Sequence, residues 1–227
     1  MQNMRKNLDR VRARIDDAAH RFERDPESIS LLAVSKKKPA ADIRLAYQLG
    51  QRDFGENYLQ EAQQKMQELQ DLDICWHFIG AIQSNKTRAI AESFDWAHCV
   101  DRARIARRLS EQRPAGRQPL NVCIQVNLDH EDSKAGADPG QVAALAAEIA
   151  ALPGIRLRGL MTIPAPRATR AEQRKPFAQL AALLDGLRQQ GIDCDTLSMG
   201  MTQDLEAAVA EGATLLRIGT AIFGERT

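Results

Sequence analysis

Apolar residues recur at spacings of three and four at the start of the chain, at Met4, Leu8, Val11, Ile15, Ala18 and Phe22. That period gathers them on one face of a helix, and the Asp25-Pro26 pair supplies its stop. A stripe of this kind usually packs on its own domain, so residues 1–25 are expected as an amphipathic helix laid against the rest. The period then changes. Short β-rich runs follow at Ser30 to Lys36, Asp53 to Asn57, Cys75 to Ile79 and Trp96 to Val100. Four more follow at Asn121 to Asn127, Leu157 to Ile163, Thr196 to Met199 and Thr214 to Gly219. Helical patterns between them begin near Ala40, Tyr58, Asn85, Arg102, Pro139, Thr169 and Thr202, with Gly50, Gly191 and Gly212 placed as C-terminal stops. Strands alternating with helices imply a parallel sheet covered by helices. Eight such units fit a (β/α)8 TIM barrel, whereas an open doubly wound sheet more often has five or six strands. The stretch "RPAGRQP", Arg113 to Pro119, reads as a loop rather than a linker, so residues 1–227 are expected as one barrel domain.

Composition narrows the partners. At 227 residues and 44% hydrophobic, the chain can bury a full core. Lys plus Arg number 31 against 30 for Asp plus Glu, which gives no electrostatic reason to expect nucleic acid or an anionic membrane. Lys86 and Arg88 in "QSNKTR" lack interleaved aromatics and read as a helix start. The N-terminus has no apolar h-region, and no segment reaches the apolar length of a membrane span. Cys75, Cys99, Cys123 and Cys194 are far apart, as expected of reduced thiols in a cytoplasmic protein. Cys75 and His77 share a strand face, but His98 and Cys99 point oppositely, so no zinc site is expected. Asp129, Glu131 and Asp132 lie in "NLDHEDSKAGAD", which lacks calcium-loop spacing and reads as a solvated loop at the barrel mouth.

Candidate chemistry sits at the strand ends, because barrels build their sites there. Alternation puts Leu32, Val34 and Lys36 on one face of the first strand, with Lys37 outward and Lys38 preceding Pro39 at the turn. If that face looks inward, the Lys36 amine ends partly desolvated at the mouth, where imine formation is favoured. The seventh and eighth units end in "SMGMTQD" and "RIGTAIFGE", both with the glycine and hydroxyl residues that phosphate binding at those loops uses. A lysine facing two phosphate loops describes a phosphorylated aldehyde held as an imine, and the common such cofactor is pyridoxal 5′-phosphate.

Six stretches in order, "LLAVSKKKP", "FGENYLQE", "WHFIGAIQSNK", "GLMTI", "LSMGMTQD" and "RIGTAIFGER", resemble the pyridoxal phosphate homeostasis proteins of the YggS/PROSC type. The resemblance implies a barrel similar to the N-terminal domain of bacterial alanine racemase, with the cofactor imine on Lys36. It also implies a phosphate held by Ser198, Gly200, Met201 and Thr202 on one side and by Gly219 and Thr220 on the other. Thr202 stands where serine is expected, with the hydroxyl kept. Asn57 and Met161 match positions lining the cofactor, and Arg217 falls where this fold sets an arginine against the pyridine nitrogen. An arginine there disfavours protonation of the ring and leaves it a weaker electron sink. Racemases of this fold add a tyrosine from a further domain. This sequence shows none after the eighth strand, and its tyrosines are Tyr47 and Tyr58, so cofactor binding is expected without robust catalysis. The implied role is intracellular homeostasis of pyridoxal phosphate and linked amino-acid pools by a monomer, with apo-enzymes as recipients. The alternatives are a small racemase or decarboxylase, and a barrel enzyme for phosphorylated sugars or aldehydes.

Overall fold

The computed structural model describes residues 2–129 and 135–224, which leaves Glu131 and Asp132 outside the described residues. Its strands are β1 (Ser30–Val34), β2 (Asp53–Glu56), β3 (Cys75–Phe78), β4 (Trp96–Val100), β5 (Leu120–Gln125), β6 (Ile155–Met161), β7 (Thr196–Ser198) and β8 (Leu215–Ile218). All pair in parallel in sequence order, and β8 pairs back onto β1 with Leu32 beside Arg217, closing an eight-stranded barrel. Helices fill the connections: α1 (Gln2–Arg21), α2 (Ala40–Gln48), α3 (Leu59–Glu68), α4 (Thr87–Ser93) and α5 (Ala103–Glu111). After them come α6 (Val142–Ala150), α7 (Arg170–Gln189), α8 (Leu205–Ala210) and the short α9 (Thr220–Phe223). None of the described helices is long and apolar enough to cross a membrane.

The main core lies between strands and helices, and α1 joins it through Leu8, Val11, Ile15, Ala18 and Ala19. Polar ties fix where α1 sits. Arg14 donates to Glu206 Oε1 at 2.8 Å and to the Thr202 carbonyl at 3.1 Å, while Asn7 donates to the Ile222 carbonyl at 3.0 Å. The N-terminal helix therefore braces the last two barrel units, which carry the expected phosphate loops. Inside the barrel, Leu32, Ile79 and Leu215 form a separate small apolar cluster with Val34, so this face of β1 looks inward.

Several boundaries differ from expectation, at strand ends and at one helix start. β1 stops at Val34 and Lys36 lies in the following turn, because Lys37 takes a φ of 60° and the chain leaves the ladder after Ser35. β6 begins two residues earlier than expected and ends at Met161. α8 starts at Leu205 rather than Thr202, since the Asp204 carboxylate accepts the Met201 N–H at 2.6 Å and holds residues 201–204 in a turn.

That turn depends on Gly200. Its φ is +93°, and a Cβ there would stand 2.5 Å from Ala208 Cβ and 2.7 Å from Leu216 Cδ2. Gly200→Ala combines left-handed strain with overpacking and is expected to lower stability by about 2–4 kcal/mol. Urea unfolding of the variant checks this.

Candidate functional site

A cavity of about 320 Å³ opens at the C-terminal ends of the strands. That volume is at the small end of ligand pockets and suits one ring bearing a phosphate. Lys36, Asn57, Met201, Thr202, Arg217, Gly219 and Thr220 all line it. Met161, Ser198 and Gly200 do not; they are buried away from its lining, with Met161 in register with Ser198. Lys38 also lines the cavity, although the sequence placed it only at the turn.

The Lys36 turn is clamped on both flanks. Glu56 is fully buried on β2 and accepts Ser35 Oγ–H at 2.6 Å and Lys65 Nζ–H at 2.8 Å. Lys65, on α3, also donates to the Ser35 carbonyl at 2.9 Å and to Glu61 Oε1 at 2.5 Å. Glu61 Oε1 in turn accepts the Lys37 N–H at 2.5 Å. Residues 35 and 37 are thus held from below, and the half-buried Lys36 side chain between them lines the cavity. One signal for this clamp is present in the chain, the i,i+4 spacing of Glu61 and Lys65, but none for Glu56, which alternation alone would not mark as charged and buried.

Arg217, on β8, is buried and donates from Nη1 to Ser198 Oγ and from Nη2 to the Thr162 carbonyl, each at 2.8 Å. Among the described residues its guanidinium shares no salt bridge with a carboxylate, and Asp204 acts on it only through a longer-range charge interaction. Burial lowers its pKa from the usual arginine value, yet an arginine remains a cation. On another wall, Asn57 Oδ1 is buried with no hydrogen-bond partner among the described residues. The residue lines the cavity, although this oxygen is not itself exposed there.

The expected phosphate side is partly occupied by protein. α9 starts at Thr220, so its first N–H groups have no intrahelical acceptor, and Gly219 brings the backbone close. A Cβ at Gly219 would lie 3.2 Å from the Val34 carbonyl oxygen. On the opposite loop the Met201 N–H goes to Asp204, a cavity-lining carboxylate that sequence reasoning missed. Burial pushes the Asp204 carboxyl above its ordinary range, against the opposing pull of the Met201 N–H and Arg217. Ionised Asp204 repels a phosphate. Asp204→Asn is therefore expected to bind a phosphate-bearing ligand several-fold tighter at about pH 8, with the gain shrinking towards about pH 5 as the native carboxyl protonates. Dissociation constants of both proteins across that range decide it.

The remaining wall comes from the segment after β6, with Ile163, Pro164, Pro166 and Arg167 lining the cavity. Asp129 fastens it, accepting Arg167 Nη2–H and the Ala165 N–H at 2.6 Å each. The two prolines were the available signal for a stiff loop here. Tyr58 is exposed at the start of α3 and does not line the cavity.

Below the cavity the barrel interior is polar. His77 hydrogen-bonds His98, and Asp53, Cys75 and His77 bring ligand atoms within 4.8 Å of one another. Hydrogen bonds account for these contacts, and no metal is proposed. All four cysteines are free thiols, and burial pushes their pKa values up, to about 12 for Cys99 and about 11 for Cys194.

Residues 4–227 match the family model described as alanine racemase, N-terminal domain. A curated pyridoxal phosphate homeostasis protein of Pseudomonas aeruginosa is 59% identical over 226 residues, covering 100% of this chain and 97% of that relative. The chain belongs to the pyridoxal phosphate homeostasis protein family. Another similar chain is PipY of Synechococcus elongatus, solved with pyridoxal phosphate bound. It is 41% identical with a TM-score of 0.86, covering 97% of this chain and 100% of PipY. An alanine racemase of Clostridium difficile matches with a TM-score of 0.79 at 15% identity, covering 99% of this chain and 57% of the racemase, a likeness of fold. The homeostasis family thus carries the racemase barrel.

Proposed function

We propose that this chain binds pyridoxal 5′-phosphate covalently at Lys36 and acts as a reservoir that keeps the cofactor available to apo-enzymes. The carrying observation is that Lys36, Arg217, Gly219 and Thr220 line one cavity of suitable volume. When bound, the cofactor supplies an aldehyde that condenses with primary amines. Lys36 is the amine within the cavity whose flanks are clamped, which limits the entropy lost on attachment. Arg217 meets the ring nitrogen as a cation and disfavours its protonation, so a substrate carbanion gains little stabilisation. Gly219, Thr220 and Thr202 hold the phosphate, and Asn57 lines the wall beside the ligand.

The same arrangement argues against a dedicated racemase or decarboxylase. Tyr58 does not line the cavity, and Arg217 weakens the electron sink. A reservoir exchanges its cofactor with an incoming amine and leaves the amino acid unchanged. Holo-protein mixed with an apo-enzyme that requires pyridoxal phosphate is expected to restore its activity, whereas Lys36→Ala protein delivers much less. Racemisation or decarboxylation by the purified chain at roughly one to a thousand turnovers per second would instead favour an enzyme.

A further inference from the structure

A chain of hydrogen bonds crosses the inside of the barrel from Arg217 to the opposite end. Arg217 Nη1 meets Ser198 Oγ at 2.8 Å, Ser198 Oγ meets His98 Nδ1 at 2.8 Å, and His98 Nε2 meets His77 Nδ1 at 2.9 Å. His77 Nε2 then meets Asp53 Oδ1 at 3.1 Å. His98 stands on β4 and Ser198 on β7, which are not neighbours in the sheet, so this link runs through the lumen. Ser198, His77 and His98 are all almost fully buried.

The direction of every proton follows from satisfying each atom. A guanidinium only donates, so Ser198 Oγ accepts from Arg217. The serine hydrogen then goes to His98 Nδ1. A neutral His98 with Nδ1 accepting carries its proton on Nε2 and donates to His77 Nδ1. His77 therefore carries its own proton on Nε2 and donates to the Asp53 carboxylate. The opposite order leaves the serine hydrogen without an acceptor among the described contacts. It also sets an unprotonated His77 Nε2 against a carboxylate, lone pair to lone pair. Two further features agree with the first order. Burial holds His98 well below the usual histidine range, so it is neutral. Burial raises the Asp53 carboxyl, but the hydrogen bonds from His77 and Cys75 oppose it, and the group lies below its usual value.

We propose that His98 and His77 are positioning residues for Arg217: anchored by Asp53, they fix Ser198 Oγ as the acceptor that, with the Thr162 carbonyl, sets the plane of the guanidinium at the cavity floor. This rests on the reading that Arg217 meets the cofactor's ring nitrogen. It also gives the Ser198 hydroxyl a task distinct from binding phosphate. Asp53 lies at the start of β2, so the donor order is set at the barrel end away from the ligand.

Ring 15N NMR of the full chain reads the tautomers directly, with or without pyridoxal phosphate. Both His77 and His98 are expected as neutral Nε2–H tautomers, and an Nδ1–H tautomer at either overturns the proposal. The positional role is read by cofactor affinity. His98→Leu breaks the chain and is expected to weaken pyridoxal phosphate binding about tenfold, which corresponds to about 1.4 kcal/mol. His98→Gln offers one acceptor and one donor and is expected to stay within about twofold of native. Ser198→Ala, a smaller change should His98→Leu not fold, is expected to match the Leu loss. Native affinity in Ser198→Ala, or equal affinities of the Leu and Gln variants, refutes the positioning role. A native chain that binds no pyridoxal phosphate at all defeats the functional reading on which the positioning role rests, whereas the NMR result tests the donor order separately.

Discussion

Lys36→Ala protein is expected to purify without the visible absorbance of a lysine-bound cofactor and to take up no label after borohydride treatment with pyridoxal phosphate. Lys37→Ala and Lys38→Ala are expected to keep both. Val34 sits in the inward-facing cluster, and the turn after β1 carries Lys36 to the cavity wall. Lys37 is exposed, with a φ of 60° that turns it out of the site. Lys38 lines the cavity too, so it is the informative control. Covalent attachment that survives Lys36→Ala but disappears in Lys38→Ala would move the attachment point by two residues. Mass spectrometry of the reduced adduct locates it unambiguously.

Lys65→Ala is expected to lower stability by about 3–5 kcal/mol, because it leaves the fully buried Glu56 carboxylate without its cationic partner. Urea unfolding at neutral pH measures the loss. The pH dependence has a definite sign. Burial already raises the Glu56 carboxyl above its ordinary range, with Lys65 pulling the other way, so removing Lys65 raises it further. A carboxyl with a folded pKa above its unfolded one binds a proton more readily when folded. Its destabilising effect is therefore full above the folded pKa and fades as pH falls towards the unfolded value. The Lys65→Ala deficit should shrink on acidification. Lys65→Met combined with Glu56→Gln should lose less than Lys65→Ala alone, since no charge is left buried. A deficit below about 1 kcal/mol would mean that solvent reaches Glu56 in solution and that the turn does not depend on this pair. If the deficit is large, the Lys36 turn should loosen with it, and cofactor affinity should fall in parallel.

Much of the molecule is legible in the chain. The spacing of Leu8, Val11, Ile15 and Ala18 gives α1 and its buried face, because a helix has one period and a stripe has one way to be buried. Alternation in β1 gives the inward face and so directs attention to Lys36, since a strand has only two sides. Gly50, Gly191 and Gly212 mark helix ends, and their φ values of +92°, +80° and +91° show why glycine stands there. Each of these is a local matter.

What sequence could not fix lies where one strand meets another that is distant in the chain. Ser198 reads as one more hydroxyl in a phosphate loop, yet closing the barrel brings His98, a hundred residues away, within 2.8 Å and turns that hydroxyl towards Arg217. Nothing in the sequence joins Glu56 to Lys65 at the Lys36 turn; the β2–α3 connection brings them together there. Asp204 carries no sequence signal of a site, and the turn that Gly200 permits places its carboxylate beside the expected phosphate loop. Periodicity records which way a side chain points from its own backbone, and that is set within a few residues. Which partner it meets there is set by barrel closure, a property of all eight strands together.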